Sequence, residues 1–322
     1  MQLQTQIPLQ QEAGQIDYGS QLLLLGSCFV TNIGEKLAYY KFQHTCNPFG
    51  ILFHPLAIEN VIERALAQKE YTEEETFLFN ERWHCYDAHS ELSAASQDVL
   101  VASLNQALKR IHEKIMEATH LCITLGTAWA YRNKETGGFV ANCHKVPQKY
   151  FTKELVSVDK ITASITGMLE NIRKVNPKAQ CIFTVSPVRH LKDGFVENQR
   201  SKGHLIVGLH QALENGNHTK NDHCSYFPSY EIMMDELRDY RFYAADMIHP
   251  NTVAIDYIWE KFKQVWISET AFPVMKEVRA IQKGLQHRPF NPETKQHQDF
   301  IRSIRTKIKR LQEEYAFLEF QG

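Results

Sequence analysis

The apolar run Leu22-Leu23-Leu24-Leu25 ends in Gly26-Ser27-Cys28, a glycine followed by a hydroxyl and a thiol. Either group can attack a carbonyl carbon once a base takes its proton. Far along the chain, Asp246-x-x-His249 spaces a carboxylate to accept from one imidazole nitrogen while the other nitrogen faces a nucleophile. That is the orienter, base and nucleophile arrangement of a triad. An isolated pair of this kind also arises where an aspartate lies in the loop before a helix, here one starting at Asn251. Between these two segments lie loops rich in polar side chains: His84 and His89 in an aromatic stretch, Asn142, His144 and Lys145 after Ala141, and Arg189 and His190 after Ser186. Such loops line a pocket or pack their rings on the core. The fork of Arg189 suits a carboxylate or a phosphate.

The elements that must position these groups follow from periodicity. Four leucines bounded by polar residues suit a strand buried on both faces, and residues 31–40, with Ile33, Leu37 and Tyr40, have helical spacing. The turn between them puts Ser27 or Cys28 at the end of the strand and the start of the helix, where unpaired N–H groups stabilise a thiolate or an oxyanion. Residues 47–55 hold two prolines and a glycine and predict a structured loop, with a short helix over 58–67. Helices are predicted over 96–119, 158–175, 197–213, 232–240 and 251–266, and strands over 120–125, 181–185 and 225–230. Strands alternating with helices imply a parallel sheet covered on both faces, with ligands bound beyond the carboxyl ends of the strands. The turns at Gly26, Gly126, Ser186 and the Asp246 loop would then share one rim. Beyond residue 268 the pattern turns charged and helical, giving a hairpin over 271–286 and 294–320 whose stripe of Phe300, Ile304, Ile308, Leu311, Tyr315 and Leu318 packs on the core or pairs with another copy of the chain.

Composition narrows the class. The chain has 322 residues, 43% hydrophobic and 23% charged, with a formal net charge of -1, which gives no electrostatic case for nucleic acid or an anionic membrane. No apolar run reaches the roughly 18–20 residues of a membrane helix, and the glutamine-rich start lacks the basic and apolar regions of a secretory signal, so a cytoplasmic protein is expected. The Asn217-His218-Thr219 sequon is then accidental. The 7 cysteines contain no C-x-x-C pair, which argues against a disulfide scaffold or a zinc knuckle. Neither metal nor cofactor is called for.

Gly26-Ser27-Cys28-Phe29, Asn47-Pro48-Phe49-Gly50, Gly126-Thr127-Ala128-Trp129, Asn142-Cys143-His144-Lys145, Ser186-Pro187-Val188-Arg189-His190 and Asp246-x-x-His249-Pro250, in this order, resemble the GSCFA-domain proteins, with Val30 where the motif has alanine. That family in turn looks like a branch of the SGNH (GDSL-like) hydrolases. The resemblance implies a three-layer α/β/α sandwich with a parallel, flavodoxin-like sheet over residues 1–267, to which a C-terminal helical extension, 268–322, is added. It also implies a nucleophile in the turn after the first strand, a glycine and an asparagine in the oxyanion hole, and an Asp-x-x-His pair. By position Cys28 takes the nucleophile's place and Ser27 that of the preceding aspartate. Gly50 and Cys28 would offer backbone N–H groups to the oxyanion. Gly126-Thr127-Ala128-Trp129 lacks the asparagine, so Thr127 or Asn142 substitutes or the hole is weaker by about 3–4 kcal/mol.

The reading is therefore an esterase or acyltransferase in which His249, oriented by Asp246, deprotonates Cys28 or Ser27. A thiol at a helix start beside a histidine is expected to ionise easily. His84, His89, His144, Lys145, Arg189 and His190 form the expected substrate wall, for a small-molecule or carbohydrate-linked acyl group. The competing reading is a binding module for a sugar or acylated ligand that kept the pocket without turnover. A third, assembly through the helical tail, is compatible with both. Contact between His249 and the sulfur would favour Cys28, contact with the hydroxyl would favour Ser27, and contact with neither the binding module.

Overall fold

A computed structural model describes residues 4–215 and 223–320, so the sequon lies outside the described residues. The chain opens with β1 (Gln21–Gly26), α1 (Cys28–Tyr39), β2 (Gln43–Cys46) and α2 (Pro55–Leu66). A small hairpin, β3 (Phe77–Phe79) and β4 (Arg82–His84), precedes α3 (Gln97–Glu117) and β5 (His120–Leu125). Next come β6 (Trp129–Asn133), β7 (Phe139–Val140), β8 (Phe151–Leu155), α4 (Val158–Val175), β9 (Gln180–Val185), α5 (Phe195–Asn215) and β10 (Cys224–Tyr226). One turn of helix, α6 (Ser229–Glu231), leads to α7 (Thr252–Trp266), α8 (Phe272–Leu285) and α9 (Lys295–Glu314). Among the described residues no helix is long and apolar enough to cross a membrane.

The central sheet runs β10-β9-β5-β1-β2 with every neighbouring pair parallel. Taken in chain order, these strands stand 2-1-3-4-5, the doubly wound flavodoxin order, whose switch point falls between β1 and β5. Alternation along β1 divides the core. Leu23 and Leu25 join the cluster under α2, α3, α4 and α5, whereas Leu22 and Leu24 join the one under α1, α7, α8 and α9. The result is the expected three-layer α/β/α arrangement.

The strands end level. Gly26 pairs with Thr124 and Leu125 with Val185, so the turns that follow emerge together. Gly26 must be glycine: its φ is +130, and a Cβ there would stand 2.2 Å from the Thr124 carbonyl oxygen. Asn47 fixes the same turn by accepting from the Gly26 N–H at 2.9 Å.

Several elements differ from the sequence expectation. β2 was unforeseen, because Gln43-His44-Thr45-Cys46 has no apolar run and sits at the sheet edge, paired on one side only. The antiparallel sheet β7-β6-β8 was also missed, since its register comes from long-range pairing such as Tyr131 with Lys153. The helix expected over 232–240 is instead a π turn, Ile232–Glu236, that ends with Leu237 N–H on the Ile232 carbonyl at 3.0 Å. This turn brings Glu236 inward to accept from Ile7 N–H at 2.7 Å and to pair with Lys261 at 3.1 Å. The tail hairpin lies on the core: Ile304, Leu311 and Leu318 are buried in the cluster beneath α7, while Phe300 stays partly exposed.

Candidate functional site

A cavity of about 820 Å³ opens at the rim, and Cys28, Thr127, Asn142, Lys145, Arg189, His190 and His249 all line it. The sequence-predicted residues it gathers therefore come from separate turns, as a switch-point crevice requires. Ser27, Gly50, His84, His89 and His144 do not line it.

Cys28 is the first residue of α1 and is half-buried, with its sulfur near the Cys28 and Phe29 backbone N–H groups. Ser27 points the other way. It is 0% exposed, and its Oγ is buried without a hydrogen-bond partner. Burial pushes the Cys28 thiol up, against the opposing charge of Lys202 and those two N–H groups. The expectation of an easily ionised thiol is thus corrected, because desolvation outweighs the helix start and no imidazole contributes. Cys143, in the same cavity, is pushed up to about 11 by burial, with no cation opposing it.

His249 is held by a tight loop. Asp246 Oδ1 accepts from the Ile248 and His249 backbone N–H groups at 2.9 and 3.0 Å, and Oδ2 meets His249 Nδ1 at 2.6 Å. These contacts, the His249 backbone N–H first and then its ring, hold the Asp246 carboxyl at about 2 although it is exposed to solvent. Met247 takes φ +59 to make the turn, and Ala244 N–H closes it on the His249 carbonyl at 2.7 Å. Nδ1 is thereby occupied, which leaves Nε2 for a substrate or a nucleophile. Among the described residues no hydrogen bond joins His249 to Cys28 or to Ser27, although His249 and Cys28 face one cavity.

The oxyanion donors also differ from the expected set. Gly50 donates its N–H to the Asn47 carbonyl at 2.8 Å, closing a turn against which His89 packs, so that donor is engaged elsewhere. Thr127 N–H goes to the Phe53 carbonyl at 3.0 Å, and its hydroxyl is tied to Ser201 at 2.9 Å and accepts from Trp129 N–H at 3.0 Å. Asn142 uses Oδ1 to accept from His144 N–H at 2.8 Å and keeps Nδ2 for the cavity it lines. With the Cys28 N–H at the start of α1, Asn142 Nδ2 is a donor pair that the geometry leaves open.

Three of the expected wall histidines are structural. His84 spans Ser93 Oγ at 2.6 Å and the Phe79 carbonyl at 3.0 Å. His144 spans the Cys85 carbonyl at 2.7 Å and Ser90 Oγ at 3.2 Å, and burial pushes it down to about 4. His89 lies 3.6 Å from Glu91. His190 does reach the cavity, held neutral at about 3 by burial and by the charges of Lys202 and His249. The Arg189 guanidinium stacks 4.3 Å above the Tyr243 ring with Nε buried and unpartnered.

Sequence reasoning missed Lys202. It is 1% exposed and donates from Nζ to the Gly126 and Ser186 carbonyls at 2.7 Å each, fastening the turns after β5 and β9 together. The signal was present: Asn198, Ser201, Lys202, Leu205 and Leu209 form the buried stripe of α5, and a lysine on that stripe marks a polar site beneath it.

The GSCFA family model matches residues 21–262, and the model of the GSCFA domain protein, C-terminal domain, matches residues 278–322. No curated protein matches the chain. The matched stretch carries the central sheet, the Gly26-Ser27-Cys28 turn and the Asp246 loop, and the chain belongs to the GSCFA family.

Proposed function

We propose that this protein is an SGNH-like esterase or acyltransferase in which Cys28 attacks an acyl carbonyl. The observation that carries the reading is the shared cavity: Cys28 and an Asp246-oriented His249 open onto it, while the Ser27 hydroxyl is buried away from it. Because burial keeps the thiol protonated, attack requires a base. His249 Nε2 takes the S–H proton as the S–C bond forms, and charge moves to the carbonyl oxygen. The Cys28 N–H and Asn142 Nδ2 then hold that oxygen. His249 returns the proton to the leaving alcohol or thiol, giving a thioester at Cys28. Water, or an acceptor alcohol, attacks the thioester and restores the thiol.

The cavity's charge suits an acyl substrate that carries an anionic group, either as a small molecule or linked to carbohydrate. Lys145, Arg189 and Lys192 line it, and the one lining carboxylate, Asp193, is paired with Lys153. Arg189, pre-ordered on Tyr243, would receive a carboxylate or phosphate. The cysteine usage fits a reducing compartment, the cytoplasm.

A binding module is the second reading, favoured by the absence of any hydrogen bond between His249 and Cys28 among the described residues. Turnover of acyl esters and thioesters, with and without an anionic group, separates the two. The enzyme reading expects Cys28→Ala and His249→Ala to abolish turnover, Ser27→Ala to retain most of it, and Arg189→Gln to raise KM for the anionic substrates alone. Ligand binding with no turnover of any ester, or activity that survives Cys28→Ala, would reject it.

A further inference from the structure

Lys202 is a buried cation without a counter-ion. Among the described residues no carboxylate pairs with it, and its Nζ contacts are the Gly126 and Ser186 carbonyl oxygens. The groups that face it are Cys28 at the start of α1, His190 in the turn after β9, and the Tyr230 ring, 5.7 Å from Nζ. Two carbonyls satisfy two of an ammonium's three donors and none of its charge, so a charge buried this deeply calls for an anion nearby. His190 is held neutral and Tyr230 presents its ring, which leaves the Cys28 sulfur as the group able to become that anion.

We propose that Lys202 is the buried counter-charge of the Cys28 sulfur, stabilising the thiolate on which attack depends while it fastens the turns that frame the cavity. The inference rests on the reading of Cys28 as the nucleophile. Lys202 acts through the sulfur and touches no substrate, so it is a positioning residue. The coupling is mutual: Lys202 pulls the thiol down against burial, and Cys28 pulls the amine up against the burial that holds it at about 7. During attack the S–H proton still passes to His249 Nε2, the S–C bond forms, and the charge leaves the sulfur for the carbonyl oxygen. Lys202 therefore favours the thiolate without taking its proton.

The test is the pH dependence of Cys28 alkylation by iodoacetamide, read by peptide mass in wild type, Lys202→Met and Lys202→Arg, with melting temperature followed in parallel. Below its midpoint a thiol reacts in proportion to its thiolate fraction. Lys202→Met should raise the Cys28 midpoint by about one pH unit, making labelling near pH 7.5 about tenfold slower, and Lys202→Arg should restore it. A purely structural clamp would lower the melting temperature of Lys202→Met and leave the midpoint in place, which would overturn the proposal. Should Lys202→Met fail to fold, the Lys202 amine is titrated by NMR in wild type and Cys28→Ala. Its midpoint should fall when the sulfur is removed, and an unchanged midpoint would overturn the proposal equally. Neither measurement requires turnover. A shifted midpoint without any acyl turnover would uphold the pairing and reject the enzyme, whereas an unshifted midpoint with turnover lost in Cys28→Ala would do the reverse.

Discussion

Replacing Asp246 with asparagine should disable the base while leaving the fold intact. The asparagine keeps one oxygen, which the Ile248 and His249 backbone N–H groups, at 2.9 and 3.0 Å, would retain. Its amide nitrogen then faces His249 Nδ1, where the carboxylate oxygen stood at 2.6 Å. An NH₂ group donates, so Nδ1 must accept and the ring proton moves to Nε2, the nitrogen needed to receive the thiol proton. A triad aspartate exchanged for asparagine in this way loses about 10⁴ in rate through the wrong tautomer. His249 is half exposed, 50% by side chain, so solvent can supply the other tautomer and a loss of about 10²–10³ is expected here. The assay is the p-nitrophenolate burst from p-nitrophenyl acetate as Cys28 is acetylated, with the unfolding midpoint as control. Water can replace each contact in so open a loop, and the midpoint should hardly move. Burst kinetics within twofold of wild type in a folded Asp246→Asn protein would refute the orienting role of Asp246.

Two further outcomes follow from burial. His144 and His190 are pushed down to about 4 and about 3, so between those values and about 6.5 the unfolded chain binds protons that the native state refuses. Stability should be full above pH 6.5 and fall as pH drops through that window; a urea midpoint equal at pH 7.5 and pH 4.5 would contradict this. Ending the chain at Ile267 removes α8 and α9, uncovering the cluster that holds Val278, Ile281, Ile304 and Leu311. The truncated protein should aggregate or melt lower in a thermal scan, and an equally stable monomer would show that the tail's packing contributes nothing.

Much of this fold was legible because its strongest signals are local. The four-leucine β1 reports a strand buried on both faces, and the amphipathic spacing of 158–175 coincides with α4. The level strand ends brought Cys28 and His249 to one rim, as alternating elements require. What the sequence withheld depends on partners distant in the chain. Polar Gln43–Cys46 becomes a strand only because β1 offers it a parallel edge. His84 and His144 look like pocket residues by type, yet their nitrogens are taken by hydroxyl and carbonyl partners that no spacing rule reveals. Ser27 and Cys28 are adjacent, and only the start of α1 decides which of them faces the cavity. The side-chain stripe of α5 carried the trace of Lys202, but the acceptors that make it a site are the ends of two other strands.

The central claim, that Cys28 is the acyl acceptor, is tested most directly by trapping the acyl group. Wild-type protein and the Cys28→Ala and Ser27→Ala variants are mixed with an activated acyl ester, quenched in acid and mapped by peptide mass. The account predicts one acyl adduct on the Cys28 thiol in wild type and Ser27→Ala, formed far more slowly in His249→Ala and absent from Cys28→Ala. An adduct on Ser27 or Cys143, or equal acylation with Cys28 removed, would contradict it.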